Sequence, residues 1–320
     1  MKPLLELVPD AKYPLRLVEA DLCKPETWPN AVHRCTYVLH VASPVVFRAS
    51  DDARMVRTAV QGTKNVLQAC AEAGKVKRVV MTSSAVAIST GTRGNPANPP
   101  DYVYTEKDWA VEDICTGYAK SKLKAEQAAW DFVQNLDESK KFELTVVHPS
   151  YIQGPLLSAS SGEVSQEFCL QLLNGSMPAL PDFSFDVIDV RDVAAAHIAA
   201  MENKYASGNR YILSNRIVHL KEYSHIIRGE FEPQGYKIVS RDLPKVVVWI
   251  GKFFSSMMKE LYHSLGKNLK FSNERMVSEL GIQPRPVEES IIDMCYSLID
   301  LGIARKTPGY LGHPSKRLYM

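Results

Sequence analysis

The chain has 320 residues and a mass of 35.8 kDa, which is enough to bury one large hydrophobic core or two smaller ones. Its 38 basic and 36 acidic side chains nearly cancel, which argues against nucleic acid or an anionic membrane surface as a partner. No apolar run approaches the ~20 residues that cross a bilayer, and the N-terminal segment does not resemble a signal peptide, so we expect a cytoplasmic protein.

Four apolar runs in the first half of the chain predict β-strands. They are Leu15–Ala20, Tyr37–Val41, Lys77–Thr82 and Glu143–His148. Apolar residues at helical spacing predict helices over Asp51–Gly74 and Thr116–Leu136, and the residues Gly91–Pro100 predict a loop. Because nearly unbroken apolar strands alternate with helices, the sequence predicts an α/β fold with a parallel sheet covered on both faces.

The second half of the chain has a looser pattern. It predicts helices over Glu163–Asn174 and Asp192–Glu202, short strands over Asp186–Val190 and Asn209–Leu213, and a mostly helical remainder to about Leu301. We therefore expect a sheet domain over 1–150 and a smaller, mostly helical substrate region over 151–320, with 186–213 returning to the sheet domain. An apolar stripe at helical spacing is interpreted as core, with a substrate-pocket wall as the alternative: Trp249, Phe253, Phe254, Met257 and Met258.

Six scattered cysteines show no pair at metal-ligand spacing: Cys23, Cys35, Cys70, Cys115, Cys169 and Cys295. We expect free thiols in a reducing compartment and no metal site.

Tyr118 and Lys122 are the sharpest chemical signal in the sequence. On a helix, residues four apart lie on one face, so the phenol and the ammonium point the same way. A phenol with its ordinary pKa of about 10 is a poor acid–base catalyst at neutral pH, and a nearby ammonium favours the phenolate and lowers that pKa. Alone, Tyr-x-x-x-Lys is a weak motif, because many surface helices contain it by chance.

The segment Thr82-Ser83-Ser84-Ala85 supplies the missing context. It lies at the carboxyl end of a predicted strand, where open α/β sheets bind their ligands. A serine hydroxyl there can hydrogen-bond a substrate carbonyl as charge develops on its oxygen. A plain Ser/Thr turn leaving a strand is the alternative, but strand, serine, loop and then Tyr-x-x-x-Lys in this order is much rarer than either piece.

Several motifs occur together in one order and spacing along the chain. They are His40-Val-Ala-Ser-Pro44, Val60-Gln-Gly-Thr-Lys-Asn-Val-Leu67, Thr82-Ser-Ser-Ala85, Tyr118-x-x-x-Lys122, His148-Pro-Ser-Tyr-Ile-Gln-Gly-Pro155 and Leu280-Gly-Ile-Gln-Pro-Arg-Pro286. With these motifs the chain resembles the extended short-chain dehydrogenases/reductases, the NAD-dependent epimerase/dehydratase family, and within it the dihydroflavonol-reductase-like branch. The resemblance runs from about Pro3 to about Gly302.

The resemblance implies three catalytic residues. Tyr118 is expected to be the general acid in carbonyl reduction. Lys122 is expected to lower the Tyr118 pKa and to hold the nicotinamide ribose. Ser84 is expected to polarise the carbonyl, with the adjacent Ser83 as the alternative.

The resemblance also implies cofactor contacts beyond Tyr118 and Lys122. They are Asp21 and Leu22 at the adenine ring, Val41, Ala42 and Ser43 along the cofactor, Pro149 and Ile152 beside the nicotinamide, and Ser165 at the pyrophosphate. The expected cofactor is NADP, with NAD possible, and the expected partner is a small-molecule carbonyl substrate for a monomer or homodimer. His40, His148 and His197 are expected to serve packing, with a general base as the alternative for His148.

The family opens with a strand, a glycine-rich turn, a helix and a second strand, and residues 1–20 contain no glycine. We therefore expect an incomplete Rossmann-type sheet in a truncated chain that binds cofactor poorly, because that turn holds the pyrophosphate. The strand Leu15–Ala20 is expected either to leave a gap in the sheet or to pair directly with Tyr37–Val41. Two alternative functions remain open: a nucleotide-sugar epimerase or dehydratase, and a catalytically silent scaffold or regulator.

Overall fold

The computed structural model describes residues 5, 7–8, 10–44, 52–115, 117–159 and 164–317. The strands in these residues are β1 (Tyr37–His40), β2 (Arg78–Thr82), β3 (Val103–Tyr104), β4 (Glu143–Pro149), β5 (Tyr151–Gln153), β6 (Ser184–Asp189), β7 (Arg210–Leu213), β8 (Arg216–His219) and β9 (Lys270–Phe271).

The α-helices, in chain order, are α1 (Trp28–Ala31), α2 (Asp52–Ala73), α3 (Val86–Ser89), α4 (Gly117–Gln134), α5 (Glu167–Asn174), α6 (Val190–Glu202), α7 (Leu220–Phe231), α8 (Lys245–Gly251), α9 (Ser256–Ser264), α10 (Glu274–Ser278), α11 (Val287–Asp300) and α12 (Pro314–Arg317). Three predicted helix starts, Asp51, Thr116 and Glu163, lie outside the described residues.

The main sheet has four parallel strands in the order β1-β2-β4-β7. Successive residues of a strand point to opposite faces. Val79 and Met81 accordingly pack with α2 and α4, while Val80 and Val147 pack with α6 on the other face. The predicted α/β fold with a covered parallel sheet is confirmed.

The predicted strand Leu15–Ala20 is wrong, and so is its direct pairing with β1. Residues 13–20 adopt no regular structure, and Leu15 and Leu17 are 56% and 40% exposed. A strand needs a hydrogen-bonding neighbour, and no described strand lies against this segment. Within the described residues β1 pairs with β2 alone, so its outer edge is open and Tyr37 and Leu39 are each 42% exposed.

The predicted strand Asp186–Val190 is present as β6, but it does not join the main sheet. It pairs parallel with β5 and antiparallel with β8 in a three-stranded sheet. Of the segment 186–213, β7 is a strand of the main sheet and α6 packs against that sheet. The division near residue 150 stays a prediction.

A second hydrophobic core joins the three-stranded sheet to helices from the C-terminal half. Buried side chains of α5, α7 and α11 meet there, among them Leu172, Tyr223, Phe231 and Ile291. The mostly helical character predicted for residues 220–301 is confirmed.

The aromatic stripe near α8 is not core, which corrects the preferred interpretation of that segment. Trp249, Phe253 and Phe254 are 49%, 67% and 86% exposed. Helical spacing marks an apolar face but does not say whether another element covers it. An open cavity of about 500 Å³ lies beside this face, lined by Lys245, Val246, Trp249, Tyr262 and Leu265.

Candidate active site

The carboxyl end of β2 brings Ser84 and Tyr118 together. Thr82 ends the strand, and Ser84 lies two residues later, just before α3. The hydroxyl of Ser84 is hydrogen-bonded to the phenol of Tyr118, which lies in the first turn of α4. The two groups expected to meet one carbonyl oxygen therefore already contact each other.

Lys122 lies one helical turn beyond Tyr118 and is only 4% exposed. Its Nζ donates to the carbonyl oxygen of Thr82 at 3.1 Å and lies 5.7 Å from the centre of the Tyr118 ring. Burial lowers the pKa of Lys122 to about 8, although the charge of Glu126 opposes this shift. Lys122 is thus mostly protonated at neutral pH, beside the phenol and against a strand end.

The pKa of Tyr118 moves opposite to the direction that the sequence suggested. Burial raises it above its ordinary value, while the hydrogen bond from Ser84 acts to lower it. A buried phenolate loses its hydration, so the neutral phenol is favoured. Tyr118 therefore keeps its proton at neutral pH, which suits a group that must donate one.

The start of α4 is fixed by a residue from the start of α2. The backbone N–H of Gly117 donates to Oδ2 of Asp52 at 2.9 Å. Gly117 has φ +52°, and a Cβ there would lie 3.3 Å from Oδ1 of Asp52. A glycine at this position lets the chain turn into the helix directly before Tyr118.

Ser83 and Ser84 have different surroundings, although they are neighbours in the chain. Ser83 is buried, and its Oγ donates to Oε2 of Glu126 at 2.7 Å, while Ser84 faces Tyr118. Of the two serines, Ser84 has the geometry to reach a substrate carbonyl.

The three histidines at this sheet edge are buried. His40 ends β1, and burial together with the Lys122 charge lowers its pKa to about 4. His197 on α6 lies 2.6 Å from Oγ1 of Thr82 through Nε2, and His148 on β4 contacts Glu126. All three pack behind the strand ends, in keeping with the packing role expected for them.

The residues expected beside the nicotinamide lie at neighbouring strand ends. Val41 and Ala42 follow β1 and are exposed, and Ser43 is half-buried. Pro149 ends β4, and its carbonyl accepts from the backbone N–H of Ala85 at 3.0 Å, so the ends of β2 and β4 are in contact. Ile152 lies in β5 and packs with the core of the main sheet.

The other expected cofactor contacts lie elsewhere. Leu22 packs on Gly62 in the middle of α2, and its carbonyl accepts from Asn65 at 2.8 Å. The carboxylate of the preceding Asp21 accepts from the backbone of Cys23. Ser165 is held through its own carbonyl by Gln153, one residue after Ile152.

These positions fit one half of a nicotinamide dinucleotide. The buried ammonium of Lys122 carries three N–H donors, and the Thr82 carbonyl uses one, so a ribose hydroxyl is a chemically suitable second acceptor. For the pyrophosphate, a glycine-rich turn at a helix start is the usual site, and no described strand leads into one. No three potential metal ligands converge within the described residues.

Comparison with known proteins decides the family. The profile of the NAD dependent epimerase/dehydratase family matches residues 5–214. The chain belongs to this family. Within it, the chain is an extended short-chain reductase of the dihydroflavonol-reductase-like branch, as the sequence motifs predict, and the expected class of enzyme, an NAD(P)-dependent oxidoreductase, is confirmed.

Three relatives illustrate the likeness. Cinnamoyl-CoA reductase 1 of Petunia hybrida is 33% identical over 296 residues, which cover 91% of this chain and 79% of that protein. A putative NADPH-dependent methylglyoxal reductase of Candida albicans is 34% identical over 228 residues, 67% of this chain and 65% of that protein. The crystal structure of Gre2 with NADPH from Candida albicans superposes with a TM-score of 0.73 at 27% identity, covering 94% of this chain and 88% of that one.

Sequence reasoning missed Glu126. Its carboxylate is fully buried and contacts Ser83, Trp130, His148 and Arg210. The available signal was its spacing, since Tyr118, Lys122 and Glu126 follow one another at intervals of four on a single helix face.

Within the described residues, no helix is both long and apolar enough to span a bilayer.

Proposed function

We propose that this protein reduces the carbonyl group of a small ketone or aldehyde to an alcohol with NADPH. The observation that carries the proposal is the contact between the Ser84 hydroxyl and the Tyr118 phenol, with the buried Lys122 ammonium beside the ring. The NADPH-dependent relatives support the choice of cofactor, and NAD is the alternative.

The proposed chemistry assigns one task to each residue. Ser84 donates a hydrogen bond to the carbonyl oxygen as negative charge develops on it. Tyr118, which keeps its proton at neutral pH because it is buried, delivers that proton to the same oxygen. When bound, the dihydronicotinamide supplies the hydride.

Lys122 assists the proton transfer and also binds the cofactor. Its positive charge stabilises the phenolate that Tyr118 becomes after donation. It also offers N–H donors to the nicotinamide ribose, while its bond to the Thr82 carbonyl fixes the ammonium at the strand end. Val41, Ala42, Pro149 and Ile152 are the proposed walls around the nicotinamide half.

The decisive experiment replaces Tyr118 with phenylalanine. Tyr118→Phe removes only the hydroxyl, so the chain should fold as before while reduction of methylglyoxal falls by about 100- to 10,000-fold. Turnover is followed by loss of NADPH absorbance and folding by circular dichroism. Tyr205→Phe is the matched control, because Tyr205 is 72% exposed and should tolerate the change.

Unchanged turnover in Tyr118→Phe would refute the proposed mechanism. Nucleotide-sugar epimerisation or dehydration is the second candidate function, because the matched family is one of epimerases and dehydratases. Tight binding of UDP would favour it. A silent scaffold would show no change in nicotinamide fluorescence when NADPH is titrated.

The proposal includes a cytoplasmic location and a monomer or homodimer. The location is supported by six cysteines that are all free thiols.

A further inference from the structure

The carboxylate of Glu126, on α4, contacts residues in β4 and β7 and the residue that directly follows β2. Because α4 also carries Tyr118, we call it the catalytic helix. Glu126 Oε2 accepts from Ser83 Oγ at 2.7 Å and lies 2.8 Å from His148 Nε2. Its Oε1 accepts from Arg210 Nε at 2.7 Å and from Trp130 Nε1 at 3.3 Å. We call these five residues the Glu126 network.

The network touches both sides of the proposed site. Ser83 directly precedes Ser84, and His148 directly precedes Pro149, so two contacts of the carboxylate lie next to residues proposed to meet substrate and cofactor. On its own helix, Glu126 lies one turn beyond Lys122. A shift of this side chain would therefore move the helix that carries Tyr118 relative to the strand end that carries Ser84.

Arg210 is held independently of Glu126. Its Nη1 donates to the carbonyls of Glu106 and Asp108, both at 2.7 Å, and its guanidinium lies 3.9 Å from the centre of the Trp109 ring. Because these contacts do not involve Glu126, we expect the arginine charge to stay in place behind the site when Glu126 is replaced.

The negative charge of Glu126 favours the ammonium form of Lys122. The titratable groups beside Lys122 are Tyr118 and Glu126 on α4 and His40 on β1, while His148 on β4 and Arg210 on β7 contact Glu126. Burial by itself would raise the pKa of Glu126. His148 and Arg210 outweigh that effect and lower the pKa to about 2. Removal of this negative charge would leave two buried cations, Lys122 and Arg210, without compensation.

We propose that Glu126 is a positioning residue, which fixes the catalytic helix against the ends of β2 and β4 and supplies the negative charge that holds Lys122 as an ammonium. The role rests on the proposed carbonyl reduction, in which Lys122 must be charged when Tyr118 gives up its proton. Glu126 does not touch the reacting atoms.

The test is a titration of Lys122 that requires no turnover. The chain is labelled with ¹³C at its lysine side chains, and the Lys122 signal is identified as the one lost in Lys122→Met. In Glu126→Gln the pKa of Lys122 should fall by about one pH unit, because a nearby opposite charge has been removed. Glu126→Asp keeps the charge and should restore a value near that of the unchanged protein.

Glu143→Gln is the matched control. Glu143 also pairs with a buried arginine, Arg78, at 2.7 Å, but it does so at the amino ends of β2 and β4. The Lys122 signal should titrate in this variant as in the unchanged protein. An unshifted Lys122 in folded Glu126→Gln, or an equal shift in Glu143→Gln, would overturn the role of Glu126.

Ser83→Ala is a second test, to be used if Glu126→Gln does not fold. It keeps the carboxylate but removes its bond to the end of β2, so kcat should fall about tenfold with KM unchanged. Unchanged kcat would count against the role of Glu126. Turnover that does not depend on Tyr118 would instead refute the proposed function. The Lys122 titration would still test the role of Glu126, because it does not require turnover.

Discussion

Asp186 on β6 offers a stability test that does not depend on the proposed reaction. The residue is 8% exposed, and its Oδ1 accepts no hydrogen bond within the described residues. Burial raises the pKa of Asp186 from 3.8 to about 7, although the hydroxyls of Ser214 and Ser150 act to lower it. We predict that Asp186→Asn stabilises the protein, and does so more at high pH than at low pH.

The sign follows from the proton affinities of the two states. The folded chain binds the proton of Asp186 more tightly than the unfolded chain, so wild-type stability falls as the pH rises from about 4 to about 7. Below that window the carboxyl is protonated in both states and carries no cost. Above it the cost is complete, and a raised pKa of this size corresponds to up to about 4 kcal/mol. Asparagine is uncharged throughout and avoids the cost.

Urea denaturation at pH 5 and pH 8 measures the effect. The free energy of unfolding of Asp186→Asn should exceed that of the wild type by about 2–4 kcal/mol at pH 8 and by clearly less at pH 5. Asp113→Asn is the control, since Asp113 is exposed. The same difference at both pH values would refute the argument, because a neutral packing effect does not titrate.

Two further predictions concern α4. Gly117→Ala should cost about 1–3 kcal/mol and reduce turnover, because alanine is strained at φ +52° and its Cβ would crowd Asp52. Gly74→Ala, at φ +60° with open space around a Cβ, is the control in thermal denaturation and should leave turnover unchanged. The rate of carbonyl reduction should be highest below about pH 8 and fall as the pH rises through that value, where Lys122 loses its charge. A pH–rate profile that stays flat to pH 10 would contradict this role for Lys122.

Much of the main sheet could be predicted because its signals are local. The strands β1, β2, β4 and β7 are short apolar runs, and α2 and α4 show clear helical spacing. Tyr118 and Lys122 lie on one face because an α-helix repeats every 3.6 residues, whatever surrounds it. These features follow from the order of residues alone.

Strand pairing and the covering of apolar faces could not be predicted in the same way. Leu15–Ala20 has the composition of a strand, but no strand in the described residues pairs with it. The strand β6 pairs with β5 and β8 rather than with the main sheet. The stripe at Trp249 has core spacing but stays exposed. Pairing and burial depend on what lies opposite an element, and periodicity carries no information about that.

The sequence by itself determined the α/β class, the order of the motifs and the shared helix face of Tyr118, Lys122 and Glu126. Only the tertiary structure decided that Ser84 rather than Ser83 faces Tyr118, and that Glu126 meets His148 and Arg210 from distant strands. It also decided the direction of the Tyr118 pKa, because desolvation depends on every element that packs around the phenol.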